Sequence, residues 1–129
     1  MKYKVEQKVY YSKTHEWVRI EGGEAVIGIS DYAQNRLSDV VLVELPLSGK
    51  DLKAGVACLF IETMTATEEV FAPVSGRVIA RNEALEKKPE LVNTDPFGEG
   101  WLLRVKLSAP TEVDCLMDAA AYASYTSTL

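Results

Sequence analysis

Few residues in this 129-residue chain have the chemistry of a catalytic or metal-binding site. The single histidine, His15, excludes a histidine-based metal cluster. A Ser-His-Asp catalytic triad would have to use His15 as its base, but the sequence neighbours of His15 do not support such a triad. Cys58 and Cys115 belong to no C-x-x-C pair, so we interpret them as reduced, buried thiols that pack as small hydrophobic groups. We therefore expect no catalytic and no metal-binding residues.

The most informative segment is one that lacks amines. Between Lys53 and Arg77 the chain contains no Lys or Arg, but it does contain the carboxylates Glu62, Glu68 and Glu69. Apolar, β-prone runs flank these residues, which predicts the tip of an exposed hairpin. The carboxylates are either a solvated tip or an acidic patch on which a basic partner docks.

Short β-prone runs separated by Gly and Pro turns dominate the chain. A hairpin is predicted over residues 17–29, because a Gly22-Gly23 step permits the backbone conformations of a tight return. Further strands are predicted over Val40–Leu45, Val56–Ile61, Val70–Pro73, Gly76–Ala80 and Trp101–Leu107. This pattern is typical of a β-sandwich or flattened barrel with a few peripheral helices.

Three segments indicate helices. Ser30 or Asp31 can cap a short helix, and residues 82–85 can form a helical turn. From Thr111, apolar residues recur at i, i+3, i+4 and i+7, which predicts an amphipathic C-terminal helix. Residues 123–129 are small and polar, and we expect them to be frayed.

The composition of the chain limits the number of domains and the classes of function that it can have. Lys and Arg number 14 against 19 Asp and Glu, which gives a net charge of −5, and 47% of residues are hydrophobic. We expect one domain over residues 1–129, with its core over about 9–122. An acidic chain without a basic cluster is a poor nucleic-acid binder, and no apolar run approaches the ~20 residues of a membrane span. The first residues resemble no targeting leader, so we expect a cytoplasmic protein.

Motifs spread over residues 11–122 resemble the H protein of the glycine cleavage system. The matching pieces are Thr14–Val18, Gly28–Gln34, Val43–Pro46, Ala72–Gly76, Asn82–Leu85, Pro89–Asn93 and Gly98–Leu102. The resemblance implies a mainly β fold, a lipoyl-domain-like barrel-sandwich hybrid of two antiparallel sheets, with short peripheral helices and a C-terminal helix. It also implies a carrier rather than an enzyme, whose partners are glycine decarboxylase, aminomethyltransferase, dihydrolipoyl dehydrogenase and a lipoate-attaching enzyme.

One departure from the family pattern concerns the attachment residue. Family members carry lipoate on the lysine of a Glu-Ser-Val-Lys motif, eight positions before the Pro of Ala-Pro-Val-Ser-Gly. Counting back from Pro73 places Glu62 at the motif glutamate and Thr65 at the lysine. Lipoylation forms an amide and needs a primary amine, whereas a threonine hydroxyl is barely nucleophilic without an activating base. We therefore expect no cofactor on this chain.

The resemblance also assigns a cleft that shelters the loaded arm. By that resemblance, Thr14, Glu16 and Arg36 line it. The alternative is that Thr14 and Glu16 are polar residues at a strand edge and that Arg36 is a solvated helix residue.

These observations predict an H-protein-like chain without a lipoyl group. We expect a non-catalytic binding, adaptor or regulatory paralogue in glycine decarboxylation or lipoate metabolism. The alternative is a genuine aminomethyl carrier whose attachment site is mutated, or an H-like protein of another lipoate-linked pathway.

Overall fold

Nine strands form two antiparallel sheets in a computed structural model that describes residues 2–129. The strands are β1 (Tyr10–Tyr11), β2 (Glu16–Glu21), β3 (Glu24–Ile29), β4 (Val40–Glu44), β5 (Asp51–Leu52), β6 (Ala57–Thr63), β7 (Thr67–Phe71), β8 (Gly76–Arg81) and β9 (Leu103–Leu107). The larger sheet has the order β1-β2-β3-β9-β8-β5, and the smaller has the order β4-β6-β7. The predicted mainly β architecture of two antiparallel sheets is confirmed.

Short helices lie between the strands and at the C-terminal end. The α-helices are α1 (Asp31–Asn35), α2 (Leu91–Thr94) and α3 (Ala119–Ser127), and 3-10 helices span Glu83–Glu86 and Pro110–Cys115. Ser30 caps α1, as predicted, by accepting a hydrogen bond from the Ala33 N–H. Within residues 2–129, no helix has the length and apolar character that a membrane crossing requires.

The predicted first hairpin forms β2 and β3, joined at Gly22-Gly23. Gly22 has a φ of +67°, a conformation that glycine adopts without the penalty of a Cβ. Gly28 faces the fully buried Trp17, and a Cβ at Gly28 would lie 2.5 Å from the indole ring. The sequence of this hairpin therefore suits both its turn and its contact with the core.

The core has two parts. The first consists mostly of aliphatic residues from both sheets, such as Ile27, Ile61 and Val105. The second is rich in aromatic side chains and includes Tyr11, Trp17, Tyr32, Phe97 and Tyr122. The aliphatic part holds the two sheets together, and the aromatic part attaches both ends of the chain to the larger sheet.

The segment before β1 is fixed by specific contacts. The Tyr3 ring packs edge-on against Tyr32, with the ring centroids 5.1 Å apart. The Tyr3 hydroxyl donates a hydrogen bond to Thr126 Oγ1 at 2.5 Å, and the Lys4 N–H donates one to Asp31 Oδ2 at 2.7 Å. Residues close to the two ends of the chain therefore meet beside α1.

The predicted C-terminal helix is present, but its predicted start at Thr111 is wrong. Residues 110–115 form a 3-10 helix, and Met117 is extended and pairs with Tyr11. The Met117 and Tyr11 backbones exchange two hydrogen bonds of 2.8 Å each. This pairing replaces helical hydrogen bonds, so α3 begins only after Asp118, whose side chain accepts from the Ala121 N–H.

Residues 119–127, most of which the sequence pattern assigns to a frayed end, form α3. Tyr122 is fully buried and Thr126 is 3% exposed. The Tyr122 ring stacks on Tyr11, with the centroids 4.0 Å apart. The aromatic contact supplies the burial that the small residues of this helix cannot provide themselves.

The two cysteines lie in different environments. Cys58 is buried in the aliphatic core, as predicted, but Cys115 is exposed, and both are free thiols. The prediction for Cys115 fails because its segment is a 3-10 helix with no buried residue, not an amphipathic α-helix.

Candidate functional site: a hairpin tip beside a cleft

The predicted acidic hairpin consists of β6 and β7, with residues 64–66 at its tip. The Thr63 hydroxyl organises this turn, because it donates to the Ala66 carbonyl at 3.1 Å and accepts from the N–H groups of Thr65 and Ala66. Thr63 is nearly buried, whereas Met64, Thr65 and Ala66 are exposed. The tip is therefore a short, hydrogen-bonded turn that presents Thr65 to solvent.

A second set of contacts attaches the tip to the loop after α1. The Met64 N–H donates to the Asp39 carbonyl at 3.1 Å, and the hydroxyls of Ser38 and Thr65 lie 3.1 Å apart. Within residues 2–129, Ser38 is the only side-chain hydrogen-bond partner of the Thr65 hydroxyl. A neutral hydroxyl is not a general base, so this arrangement does not activate Thr65 as a nucleophile.

A cleft of about 310 Å³ lies between the start of β2, helix α1 and the hairpin. It is lined by Thr14, His15, Glu16, Ile29, Ala33, Arg36, Leu37, Ile61, Glu68, Glu69 and Val70. Thr14, Glu16 and Arg36, which the resemblance assigns to one cleft, do line the same cavity. Glu62 and Thr65 are not among the lining residues.

Glu16 is the most enclosed polar group of the cleft, with 2% of its surface exposed. Its Oε1 accepts hydrogen bonds from the Ser12 hydroxyl at 2.6 Å and from the Thr14 hydroxyl, and its Oε2 accepts from the Phe71 N–H at 3.3 Å. Burial raises the pKa of Glu16, and these donors oppose the rise. Glu16 is therefore a fixed acceptor inside the cleft and not an edge residue in water.

Arg36 brings a positive charge to the same cleft. Its side chain is exposed, its Nη1 donates to the Tyr32 hydroxyl at 3.2 Å, and its guanidinium lies 5.3 Å from the Tyr32 ring centre. Glu68 and Glu69 line the same cavity from β7 and are exposed. The cleft thus offers both a cation and carboxylates to a small polar group.

His15 is a cleft residue that the sequence did not identify as one. Its φ is +75°, and its Nδ1 lies 2.8 Å from the Tyr122 hydroxyl. Burial, and then the positive charge of Arg36, lower the pKa of His15. The one feature of the sequence that could have indicated a place for His15 in the cleft is its position between Thr14 and Glu16.

This geometry suits binding rather than bond-breaking. The cleft holds fixed acceptors and donors: the Glu16 carboxylate accepts from the Ser12 and Thr14 hydroxyls, and Arg36 supplies a positive charge. An exposed hairpin tip beside a small cleft, on two antiparallel sheets, is the architecture of the lipoyl-domain class of proteins.

Comparisons with known proteins identify the family within that class. The sequence profile described as "Glycine cleavage H-protein" matches residues 9–129. The chain is similar to glycine cleavage system H proteins of Beijerinckia indica (49% identity, 92% of this chain and 96% of the relative) and Symbiobacterium thermophilum (47% identity, 90% and 91%). It also superposes on the crystal structure of an H protein from Mycobacterium marinum with a TM-score of 0.87, at 32% identity over 95% of this chain and 99% of that one.

The chain belongs to the glycine cleavage H-protein family. Members of this family are carriers within a multienzyme system and are not themselves catalysts. The structural match also confirms the predicted barrel-sandwich fold.

Lipoate, the family cofactor, does not fit the residues at this hairpin. Its attachment as an amide requires an amine, and residues 57–71 contain neither Lys nor Arg. The exposed side chains of the tip end in a thioether, a hydroxyl and a methyl group, on Met64, Thr65 and Ala66. The hairpin of this chain therefore lacks the chemistry for covalent lipoylation.

Proposed function

We propose that this chain is an H-protein-like component that carries no lipoyl group and acts by binding other proteins. It serves as an adaptor or regulatory paralogue in glycine decarboxylation or lipoate metabolism. Its partners are glycine decarboxylase, aminomethyltransferase, dihydrolipoyl dehydrogenase or a lipoate-attaching enzyme.

The observation that carries this proposal is the hydroxyl of Thr65 at the exposed tip. The family motif places the attachment lysine at this position. In the part of the chain that the structure describes, residues 2–129, this secondary hydroxyl is hydrogen-bonded only to Ser38, which is not a base that could increase its nucleophilicity. Threonine is also short and restricted at χ1, so it is a poor anchor for a long mobile arm.

The intact cleft supports a binding role. Thr14, Glu16 and Arg36 line the cavity that the family pattern assigns to the arm, and Glu16 remains hydrogen-bonded inside it. A chain that keeps the fold and the cleft but lacks the anchoring amine can bind the same enzymes without carrying a group between them.

The test is the intact mass of the chain after co-expression with lipoate-attaching enzymes. We expect the wild-type chain to keep its unmodified mass and Thr65→Lys to gain one lipoyl group. Thr67→Lys is the matched control, because Thr67 is also exposed and lies two residues further along the same hairpin. It should remain unmodified.

Two outcomes would overturn the proposal. A lipoyl group on the wild-type chain would show that the protein is a carrier through an unforeseen attachment. A Thr65→Lys variant that stays unmodified while Thr67→Lys is lipoylated would show that Thr65 is not the vacated attachment position.

A further inference from the structure

We infer that Tyr3 and Tyr32 are positioning residues of the cleft: the N-terminal segment, residues 2–8, holds Tyr3 against Tyr32, and Tyr32 holds the Arg36 guanidinium at the cleft. The inference deepens the proposed function, because it concerns the cleft to which that function assigns a binding role. The evidence for it comes from hydrogen bonds, ring contacts and burial around helix α1.

The N-terminal segment lies along α1. This segment precedes residues 9–129, the part of the chain that matches the family profile. The Lys4 N–H donates to Asp31 Oδ2 at 2.7 Å, and the Lys2 carbonyl accepts from Asn35 Nδ2 at 3.5 Å. Because Asp31 and Asn35 are the first and last residues of α1, the segment is attached to the helix at both of its ends.

Tyr3 is the residue of this segment that reaches the aromatic part of the core. Its ring meets Tyr32 edge-on, with an angle of 83° between the ring planes. Its hydroxyl donates to Thr126 Oγ1, which belongs to a buried residue of α3. The ring and the hydroxyl of Tyr3 are therefore both held, one by α1 and the other by α3.

Tyr32 connects the segment to two residues of the cleft. Its ring is buried and lies 4.7 Å from the His15 ring, centroid to centroid. Its hydroxyl accepts from Arg36 Nη1, and the Arg36 guanidinium lies over its ring. Within residues 2–129, the Arg36 guanidinium forms no salt bridge and no other hydrogen bond. In that part of the chain, Tyr32 is thus the one polar partner that fixes this charge.

Arg36 lies between the cleft and a second hollow. The second hollow has a volume of about 370 Å³ and is lined by Lys2, Tyr3, Tyr32, Asn35 and Arg36. Arg36 lines the cleft as well, so its long side chain has space on both sides. Loss of the Tyr3 ring would enlarge the second hollow and leave Tyr32 unsupported on that side, which lets Arg36 turn away from the cleft. The N-terminal segment therefore determines the charge that the cleft presents to whatever binds there.

His15 can report the position of Arg36, because it is the only histidine of the chain and the positive charge of Arg36 contributes to lowering its pKa. The titratable and charged groups around it are Arg36 and Tyr32 from α1, Tyr122 and Tyr125 from α3, Glu16 from β2, and Glu68 and Glu69 across the cleft from β7. If Arg36 leaves the cleft, the pKa of His15 should rise towards its ordinary value of 6.5.

The experiment is an NMR titration of the His15 ring in the full chain. Arg36→Gln removes the charge, Tyr3→Ala removes the contact with the segment, and Tyr32→Phe keeps the ring but removes the hydroxyl that Arg36 binds. Tyr10→Ala is the matched control, because Tyr10 is an exposed tyrosine on the nearby strand β1. We expect Arg36→Gln to raise the pKa of His15 by about 0.5 or more, Tyr3→Ala and Tyr32→Phe to give at least half of that rise, and Tyr10→Ala to change it by less than about 0.1.

A double variant separates positioning from a general loosening of the structure. If Tyr3 acts through Arg36, adding Tyr3→Ala to Arg36→Gln should raise the pKa of His15 little further, because the charge is already absent. A rise from Tyr3→Ala that stays as large in the Arg36→Gln background would mean that water simply reaches His15, and would overturn the inference. An unchanged pKa of His15 in Arg36→Gln, in Tyr3→Ala or in Tyr32→Phe would also overturn it.

This titration and the mass measurement fail separately, because the titration needs neither a partner protein nor a lipoyl group. A wild-type chain that gains a lipoyl group would overturn the proposed function and leave the roles of Tyr3 and Tyr32 standing. A pKa of His15 that does not respond to Tyr3→Ala would overturn those roles and leave the absence of lipoylation standing.

Discussion

At the scale of single residues, Glu16 and Thr65 show opposite relations to their surroundings. The Glu16 side chain is buried, with 2% of the residue exposed, and receives three hydrogen bonds, whereas the Thr65 side chain is exposed and its hydroxyl lies near one other hydroxyl, that of Ser38. A buried carboxylate costs free energy unless donors compensate it. The surroundings of Glu16 therefore fix its carboxylate in place, whereas the Thr65 hydroxyl is held by a single side-chain contact.

We predict that Glu16→Gln changes the pH dependence of stability. Burial raises the pKa of Glu16 in the folded state above its ordinary value of 4.5. The folded protein therefore holds this proton more tightly than the unfolded chain does. Its contribution to stability is complete below pH 4.5 and is lost as pH rises through the raised pKa. The variant lacks this loss, so its free energy of unfolding should rise relative to wild type as pH increases from 4.5.

Urea denaturation of both proteins at several pH values would measure this difference. Glu83→Gln, at an exposed position, serves as the control and should run parallel to wild type. A constant difference between Glu16→Gln and wild type across the pH range would contradict the prediction.

The residues of the cleft could be predicted only in part. Thr14, Glu16 and Arg36 were assigned by resemblance, and they line one cavity. His15 was missed because its place in the cleft depends on a backbone φ of +75°, which no local pattern indicated. The assignment of Glu62 to the cofactor site stays a prediction: Glu62 pairs with Leu42 in the sheet and is not among the residues that line the cleft.

At the scale of elements, strands were easier to predict than the C-terminal helix. The β2-β3 hairpin follows from β-prone runs around Gly22-Gly23, so its boundaries could be read from local sequence. The start of α3 depends on the Met117–Tyr11 pairing, which joins residues more than a hundred positions apart. Helical spacing from Thr111 could not reveal such a competing contact.

We predict that Tyr122→Phe lowers the free energy of unfolding by about 1–3 kcal/mol. The Tyr122 hydroxyl lies 2.7 Å from Ser30 Oγ and 2.8 Å from His15 Nδ1, inside the aromatic core. The variant keeps the ring but leaves those two groups without this partner. Urea denaturation followed by tryptophan fluorescence would measure the loss.

A second tyrosine in α3 provides the control. The Tyr125 hydroxyl donates to the Lys13 carbonyl at an exposed position, where water can replace it. Tyr125→Phe should therefore change the free energy of unfolding by less than about 0.5 kcal/mol. Equal effects of the two substitutions would show that the buried Tyr122 network does not stabilise the attachment of α3.

At the scale of the whole molecule, the two thiols report whether the core is closed. Cys58 is buried in the aliphatic core, and burial raises the pKa of its thiol to about 12. Cys115 is exposed. Because the thiolate is the reactive form, the two positions differ in both accessibility and charge state.

We predict that iodoacetamide modifies Cys115 in the native protein and leaves Cys58 unmodified over the same period. Both thiols should react in concentrated urea, where the core is open. Intact mass measured over time would count the added groups, and Cys115→Ser should remain unmodified until urea is added. Rapid native modification of Cys115→Ser would mean that the two sheets open readily around Cys58.

The hydrogen bond between Tyr3 and Thr126 bears on whether the two ends of the chain can be joined and new ends opened elsewhere. Because segments near both ends meet there, a short flexible linker could join the ends. New ends could then be opened at Gly22-Gly23, in an exposed turn remote in sequence from the tip residues. The fold is therefore suited to circular permutation, and a fusion protein could be attached at that turn.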